Sequence, residues 1–559
     1  MSGFNHTKYR SFTPIKMTQR TWPDQVITQA PLWCSVDLRD GNQALIEPMS
    51  VDQKKTLFAL LVKVGFKEIE VGFPAASQPD FDFVRWLIEE DQVPQDVTLQ
   101  VLTQARDELI ERTFESLKGA RRAVVHVYNS TSTVQREQVF KLNKQGIIDI
   151  AVKGASKVKT LAEASPETEW VYQYSPESFT GTELDFAVEV VNAVTNVWQP
   201  SPEKPAIINL PATVEVSTPN VFADQIEWFC SHVNNRDSII LSVHTHNDRG
   251  CGVAAAELAV MAGAQRVEGT MLGNGERTGN MDIVTMAMNL YSQGIDPELD
   301  LADMDEIVRV VKSCTQLPVH PRHPYAGELV FTAFSGSHQD AIKKCLDIYQ
   351  PDQPWQVAYL PIDPTDLGRT YQEVIRVNSQ SGKGGIAYSL ERDYGLQLPR
   401  WLQVEFSGEV QRNAEINGGE VTPEAIWELF KEIYIDSSFT PARLGPFELK
   451  RTTHDHIHAQ LLLESGVVEI SGDGHGVMDA FVQALKAHYS LQIDIQEYCE
   501  HALQEGSDAE AASYIQVNIN GHRFYGVSIH EDIVTASLNA LLSAANQYAV
   551  GRQQADIAS

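Results

Sequence analysis

The stretch Ile239-Ile240-Leu241-Ser242-Val243-His244-Thr245-His246-Asn247-Asp248 decides how the rest of this chain is interpreted. Its first residues are typical of a buried strand. Because alternate residues of a strand point the same way, His244 and His246 direct two imidazoles toward one place at the strand's end. Such a pair is half of a metal site, or simply two hydrogen-bonded histidines. A carboxylate that could complete a metal site lies far upstream, in the segment Ser35-Val36-Asp37-Leu38-Arg39-Asp40-Gly41-Asn42-Gln43.

On both sides of this stretch, short β-rich runs alternate with helical stretches from residue 30 to about residue 290. The predicted strands lie near residues 32–37, 68–71, 97–102, 122–127, 169–174, 206–210, 238–244 and 266–270. This series of β/α units predicts a TIM (β/α)8 barrel, which typically takes about 250 residues. A doubly wound open sheet is the alternative, although no GxGxxG motif follows the first strand to support dinucleotide binding.

The barrel interpretation makes a prediction about where the chemistry lies. In this fold, active sites are built at the carboxyl ends of the strands. Polar residues of ligand type occur at those predicted ends: Asp40, His126, Ser175, Glu177, Thr213, His244, His246 and the segment Gly273–Asn280. Their shared placement favours one site over a set of unrelated polar residues.

Composition excludes several classes of function. The formal net charge of −30 argues against binding to nucleic acid or to an anionic membrane surface. No apolar run reaches the ~18 residues of a membrane span, and no secretory signal is expected. The six cysteines form no CxxC pair, which predicts free thiols and a cytoplasmic location. Cys251 could be a nucleophile, or a small buried residue that opens a helix.

Beyond the barrel, the pattern changes twice. We expect an N-terminal extension at 1–30, the catalytic barrel at 31–315, helical linker subdomains at 316–435 and an α+β regulatory domain at 436–559. The last region contains the order strand-strand-strand-helix twice, which predicts a βββα pseudo-repeat. Gly472, Gly474 and Gly476 precede its first predicted helix, where they could offer backbone amides to a carboxylate or form a plain turn and cap.

Several motifs together resemble the 2-isopropylmalate synthase family. They are Val36–Gln43, Asn209–Glu215, His244–Asp248, Gly273–Asn280, Ser335–Asp340 and Arg376–Gly385. The first, third and fourth are similar to those of the wider group that condenses acetyl-CoA with 2-oxo acids. The glycine-rich end of the last motif lacks the GxxxxGK[ST] spacing of a phosphate loop. The resemblance covers almost the whole chain.

The resemblance implies roles for individual residues. Asp40, His244, His246 and Asn280 would hold a divalent metal, and a mixed nitrogen and oxygen shell permits Mg²⁺, Mn²⁺ or Zn²⁺; activation by K⁺ is a further expectation. The residues expected to bind or polarise the 2-oxo acid are Arg39, His126, Ser175, Glu177 and Thr213. The resemblance also implies a catalytic histidine at His338, which reaches the other subunit of a homodimer, and a tyrosine tied to feedback control at Tyr371.

The implied reaction is condensation of acetyl-CoA with 2-oxoisovalerate to 2-isopropylmalate, the first committed step of leucine biosynthesis. Arg39 would stabilise the alkoxide, and His338 would remove the methyl proton, with Glu177 as orienting group or alternative base. Leucine is expected to inhibit through the C-terminal repeat. Alternatives are a synthase for pyruvate or 2-oxoglutarate at the same site, a hydroxymethylglutaryl-CoA lyase, and a non-catalytic amino-acid sensor.

Overall fold

The computed structural model describes residues 5–371, 377–378, 383–417, 420–435, 441–504 and 509–558. Arg376, residues 379–382 of the glycine-rich motif and the predicted domain boundary at 436 lie outside the described residues. The chain forms two compact units, one of residues 1–330 with 366–369 and one of residues 331–365 with 370–559. Each is described by itself.

The first unit contains a closed barrel of parallel strands, which confirms the predicted fold class. The strands are β1 (Leu32–Ser35), β2 (Glu68–Gly72), β3 (Thr98–Gln104), β4 (Arg122–Ser130), β5 (Glu169–Glu177), β6 (Ala206–Ala212), β7 (Ile239–Thr245) and β8 (Arg266–Gly269). Pairing of β1 with β8, in the register Leu32↔Arg266 to Ser35↔Gly269, closes the barrel. Each predicted strand corresponds to an observed one, although β4 and β5 each continue three residues further, to Ser130 and Glu177.

Helices surround the barrel and connect its strands. They are α1 (Val51–Val64), α2 (Gln78–Glu89), α3 (Asp107–Leu117), α4 (Lys144–Ala164), α5 (Leu184–Trp198), α6 (Pro219–His232), α7 (Gly252–Met261), α8 (Ile283–Tyr291) and α9 (Met304–Thr315). Local sequence explains α1: Ser50 and Gln53 form a capping box at its start. Its buried face includes Leu57 and Leu61, and Gly65 ends it in the left-handed conformation.

The second unit begins with helices and ends with the predicted repeat. Its first part contains α10 (Gly336–Ile348), β9 (Val377–Asn378), α11 (Lys383–Tyr394), α12 (Arg400–Asn417), β10 (Glu420–Val421) and α13 (Pro423–Phe430). The repeat contains β11 (Ala442–Arg451), β12 (Asp455–Leu463), β13 (Gly466–Gly474), α14 (Val477–Tyr489), β14 (Ile493–Ala502), β15 (Ala511–Ile519), β16 (His522–His530) and α15 (Ile533–Ala558). Each βββ set is an antiparallel sheet. Among the described residues, no helix is long and apolar enough to cross a membrane.

Two glycines of the first repeat lie inside a strand and not in the turn before the helix. Gly472 and Gly474 belong to β13 and pair with β12. A Cβ on Gly472 would lie 2.3 Å from the Ala480 carbonyl oxygen, and one on Gly474 would lie 2.2 Å from the Ala480 nitrogen. These glycines therefore let α14 pack directly on the sheet. Only Gly476 caps the helix, and binding of a carboxylate by the three glycines stays a prediction.

The two sheets of the repeat differ in what covers them. Ala512 and Tyr514 of β15 are fully buried in one apolar core with Phe406 of α12 and Phe430 of α13. A separate core contains residues of the first sheet, of α14 and α15, and further residues of β14 and β15. Because the second sheet shares a core with the linker helices, a cut near residue 435 would expose apolar surface on both sides.

Candidate active site

A cavity of about 320 Å³ opens at the carboxyl end of the barrel strands. Its lining includes every predicted barrel residue except Asn280: Arg39, Asp40, His126, Ser175, Glu177, Thr213, His244 and His246. These side chains come from loops or strand ends far apart in the chain. Closure of the barrel brings them together, as the location of chemistry in this fold predicts.

Three of the predicted metal ligands form a compact group. Asp40 lies on a single π-helical turn after β1, His244 lies in β7, and His246 follows that strand. One potential ligand atom from each lies within 4.8 Å of the others. The Asp40 Oδ2 atom is 3.4 Å from His244 Nε2 and 3.8 Å from His246 Nε2. The alternation of β7 explains the convergence of the two imidazoles.

The fourth predicted ligand, Asn280, lies beside this group. Its backbone forms a single antiparallel β-bridge with His246, and its Nδ2 donates to the Asn274 carbonyl oxygen at 3.0 Å. Among the described residues, Asn280 Oδ1 and Asp40 Oδ2 are buried without a hydrogen-bond partner, and Asp40 Oδ2 lies near the two imidazoles. Buried polar atoms without partners are costly unless a ligand meets them. This donor set of oxygen and nitrogen atoms therefore fits a divalent cation.

The protonation states are set by burial and close charges. Burial alone would raise the pKa of the Asp40 carboxyl, but Arg39 and the histidines outweigh burial and hold that pKa well below its usual range. Burial opposes protonation of His244, yet Asp40 and Glu268 raise its pKa to about 9. Burial and the adjacent His244 lower the pKa of His246 to about 4. A divalent cation would thus replace one proton, that of His244.

Arg39 is a buried cation at the edge of the metal group. Its Nη1 atom donates to Asp40 Oδ1 at 2.8 Å, and its Nε atom donates to Glu70. Burial alone would lower the pKa of the guanidinium, but Glu70 and Asp40 raise it above its usual value. The cavity therefore has a buried, permanent positive charge at Arg39 beside the metal group, and the more exposed Arg277 also lines it.

The predicted oxo-acid residues are held by hydrogen bonds on neighbouring strands. His126 Nδ1 lies 2.7 Å from Glu70 Oε2, and its Nε2 lies 2.7 Å from Ser175 Oγ. Glu177 accepts a hydrogen bond from Ser130 Oγ. Thr213 Oγ1 accepts from the Ser178 amide at 2.9 Å. Since a hydroxyl also donates, Thr213 can still offer its hydrogen to a substrate oxygen.

A layer of charged side chains inside the barrel was not predicted from the sequence. Glu70, Gln100, Arg266 and Glu268 are fully buried and point among the strands β2, β3 and β8. The sequence does contain a signal of this layer, because charged residues alternate with apolar ones in Glu68-Ile69-Glu70 and Arg266-Val267-Glu268. In an isolated strand this pattern predicts a solvent-exposed face. In a closed parallel barrel surrounded by helices, both faces are buried.

A second carboxylate-histidine group lies in that layer, formed by Glu70, His126 and Glu268. Its carboxylates already accept hydrogen bonds from arginines. Arg39 donates to Glu70, and Arg266 Nη1 donates to Glu268 Oε1 at 2.8 Å. Two buried guanidinium groups already balance the carboxylates, so this group is not suited to a metal ion.

The second unit carries the two other predicted residues. His338 lies in the first turn of α10 and stacks on Tyr359, with ring centroids 4.0 Å apart. The Tyr371 hydroxyl donates to the Asp363 carboxylate at 3.0 Å. Burial and Asp363 raise the pKa of Tyr371 to about 12. The catalytic role of His338 and the regulatory role of Tyr371 stay predictions.

Comparison with known proteins covers nearly the whole chain. Three family models match: HMGL-like at 30–311, "Alpha-isopropylmalate synthase, post-catalytic domain-like" at 328–391, and "LeuA allosteric (dimerisation) domain" at 420–549.

Individual relatives are similar over their full length. A 2-isopropylmalate synthase from Parafrankia sp. is 56% identical over 98% of this chain and 98% of its own. One from Ralstonia nicotianae is 55% identical over 98% and 96% of the two chains. A solved hydroxymethylglutaryl-CoA lyase from Pseudomonas aeruginosa is 17% identical, covers 52% of this chain and 95% of its own, and has a TM-score of 0.43.

Proposed function

The chain belongs to the 2-isopropylmalate synthase family, and on that premise we propose that it condenses acetyl-CoA with 2-oxoisovalerate and releases 2-isopropylmalate and CoA. The observation that supports this activity is the group of Asp40, His244 and His246 beside the buried Arg39. The enzyme is an acyltransferase that converts the acyl group to alkyl on transfer. A cytoplasmic location remains a prediction from the cysteines.

The proposed substrate suits this arrangement. A 2-oxo acid offers a carboxylate oxygen and a keto oxygen that can chelate one cation. Asp40, His244, His246 and Asn280 would hold a divalent metal, which when bound polarises the keto group as a Lewis acid. Mg²⁺, Mn²⁺ and Zn²⁺ are all compatible with these ligands, and activation by K⁺ is an additional proposal.

The residues around the metal group would orient the 2-oxo acid and stabilise developing charge. Arg39 is fixed by Glu70 and Asp40, so its guanidinium can stabilise negative charge on the keto oxygen without reorganising. Thr213 can donate its hydroxyl hydrogen to the substrate carboxylate. His126 has hydrogen-bond partners at both ring nitrogens and would shape the pocket with Ser175.

The second substrate must lose a proton from its acetyl methyl group. We assign this proton to His338, with Glu177 as orienting group or alternative base. The methyl carbon then forms a bond to the keto carbon, and the keto oxygen gains a proton to become a tertiary hydroxyl. Water then cleaves the thioester, which releases CoA as a thiol and leaves the second carboxylate of 2-isopropylmalate.

The activity is tested by thiol release from acetyl-CoA with a panel of 2-oxo acids. We expect turnover with 2-oxoisovalerate to exceed that with pyruvate or 2-oxoglutarate. A chelator should abolish it, and added divalent metal should restore it. Preference for pyruvate or 2-oxoglutarate would instead support a citramalate or homocitrate synthase, and no thiol release with any oxo acid would contradict a condensing enzyme.

The C-terminal repeat is proposed to bind leucine, the end product of the pathway. Support comes from the match of residues 420–549 to the LeuA allosteric (dimerisation) domain and from the twofold βββα architecture. We also propose that this domain stabilises a homodimer. Inhibition would shift a conformational equilibrium, with a coupling of ~1–3 kcal/mol, or roughly 5–150-fold in affinity.

Leucine binding is best measured on the full chain, because a cut near 435 would uncover the core that β15 shares with α12 and α13. Isothermal titration should detect leucine but not alanine, a ligand with the same charged groups and little apolar surface. Leucine should lower turnover without competing with 2-oxoisovalerate. Competitive inhibition, or no heat of binding with catalysis intact, would remove the regulatory role.

A further inference from the structure

Glu268 is the most heavily hydrogen-bonded carboxylate of the buried layer beneath the candidate site. It lies in β8 and is fully buried. Its Oε1 atom accepts from Arg266 Nη1 at 2.8 Å and from Gln173 Nε2 at 2.7 Å. Its Oε2 atom lies 2.9 Å from His244 Nδ1 and accepts from Asn209 Nδ2 at 3.2 Å. These groups contact both oxygens and fix the plane of the carboxylate.

The charge of Glu268 is balanced from the side opposite His244. Arg266 is fully buried and also donates from Nε to Glu68 Oε2 at 2.6 Å. Its remaining Nη2 atom donates to Gln100 Oε1 at 2.8 Å. Because the arginine is fixed at three atoms, Glu268 can remain an anion in the barrel interior and can act only as an acceptor toward His244.

We infer that Glu268 is the positioning residue that makes His244 a metal ligand through Nε2. The inference rests on the proposed function, in which His244 holds the metal. A carboxylate that can only accept a hydrogen bond requires a proton on His244 Nδ1. With Nδ1–H held by Glu268, the ring presents Nε2 toward Asp40 Oδ2, 3.4 Å away, so Nε2 is the nitrogen that can exchange its proton for the metal. Partners of this kind fix the tautomer and ring orientation of ligating histidines.

Glu268 also connects the metal group to the oxo-acid pocket. Asn209 Nδ2 donates to Glu268 Oε2 and, at 3.1 Å, to Ser175 Oγ. Ser175 in turn contacts His126 Nε2. One fixed carboxylate therefore sets the positions of a metal ligand and of the pocket wall, so both shift if its hydrogen bonds are rearranged.

The test is Glu268→Gln, which preserves shape and replaces one oxygen with an NH₂ group. Directed at His244, that group would donate to Nδ1 and force the proton onto Nε2, where it blocks the metal. Directed at Arg266, Gln173 and Gln100, it would oppose three donors. We expect the dissociation constant for Mn²⁺, measured by electron paramagnetic resonance without substrate, to rise by ~10–100-fold.

The matched control is Glu68→Gln. Glu68 forms an ion pair with the same Arg266, so this substitution removes the same charge. The ion pair of Glu68 does not involve His244. The control should bind Mn²⁺ like the unaltered protein. An unchanged Mn²⁺ constant in Glu268→Gln, or an equal rise in both variants, would overturn the inference, since the effect would then be absent or due to Arg266 alone.

A second measurement needs no variant and decides the matter if Glu268→Gln fails to fold. In the zinc-loaded, unaltered protein, ring-nitrogen NMR of labelled histidines should show His244 protonated at Nδ1 and bound to zinc through Nε2. The opposite tautomer overturns the inference. Both measurements follow metal binding without substrate. If they give the expected results in a protein that shows no thiol release, the proposed function is refuted and the inference about Glu268 stands.

Discussion

Replacing His246 with alanine is expected to lower turnover by at least ~10³-fold while leaving the barrel folded. Loss of Lewis-acid assistance removes several kcal/mol of transition-state stabilisation, and each 1.36 kcal/mol is tenfold in rate. His246 is the cleaner choice of the two imidazoles, because its Nδ1 atom has no hydrogen-bond partner among the described residues, whereas His244 also contacts Glu268. The measurement is thiol release, alongside metal content and thermal unfolding.

His232→Ala provides the control for this substitution. His232 ends α6, is exposed, and stacks on Trp228 outside the cavity lining. It should retain metal and turnover. If His246→Ala keeps normal turnover after chelator treatment, the metal assigned to Asp40, His244, His246 and Asn280 has no part in the reaction.

Replacing His338 with alanine is expected to lower turnover by at least ~10²-fold without weakening metal or 2-oxoisovalerate binding. A positioned general base contributes roughly 10²–10⁴-fold. The stack on Tyr359 holds the imidazole in place at the start of α10. The expected pattern is a lower kcat with little change in the KM for 2-oxoisovalerate, because the lost interaction acts only in the transition state.

His522→Ala is the matched control for this second substitution. His522 opens β16 and is exposed, so the same side chain is removed far along the chain from α10. Exchange of the acetyl methyl protons with deuterated solvent separates proton removal from later steps. Near-normal turnover in a dimeric His338→Ala protein would exclude His338 and leave Glu177 as the base.

Much of the fold was predictable because its signals are local. Apolar runs mark the barrel strands, and the spacing of Leu57 and Leu61 marks the inner face of α1. The repeat was likewise visible as alternating runs followed by helical ones. Less predictable were the roles of Gly472 and Gly474, because a glycine in a turn and a glycine beneath a packed helix are identical in sequence. Their contact with Ala480 depends on how α14 lies on the sheet.

The metal-type residues are evident from the sequence alone, as is the alternation that directs His244 and His246 to one side. The fold was needed to show that Glu268 and Arg266 lie in the barrel interior, where the Glu268 carboxylate contacts His244. The physical reason is that alternation fixes which residues share a face of a strand, whereas closure of the sheet fixes what that face meets. A charged face that would meet solvent in an isolated strand thus becomes, on closure of the barrel, the buried support of the site.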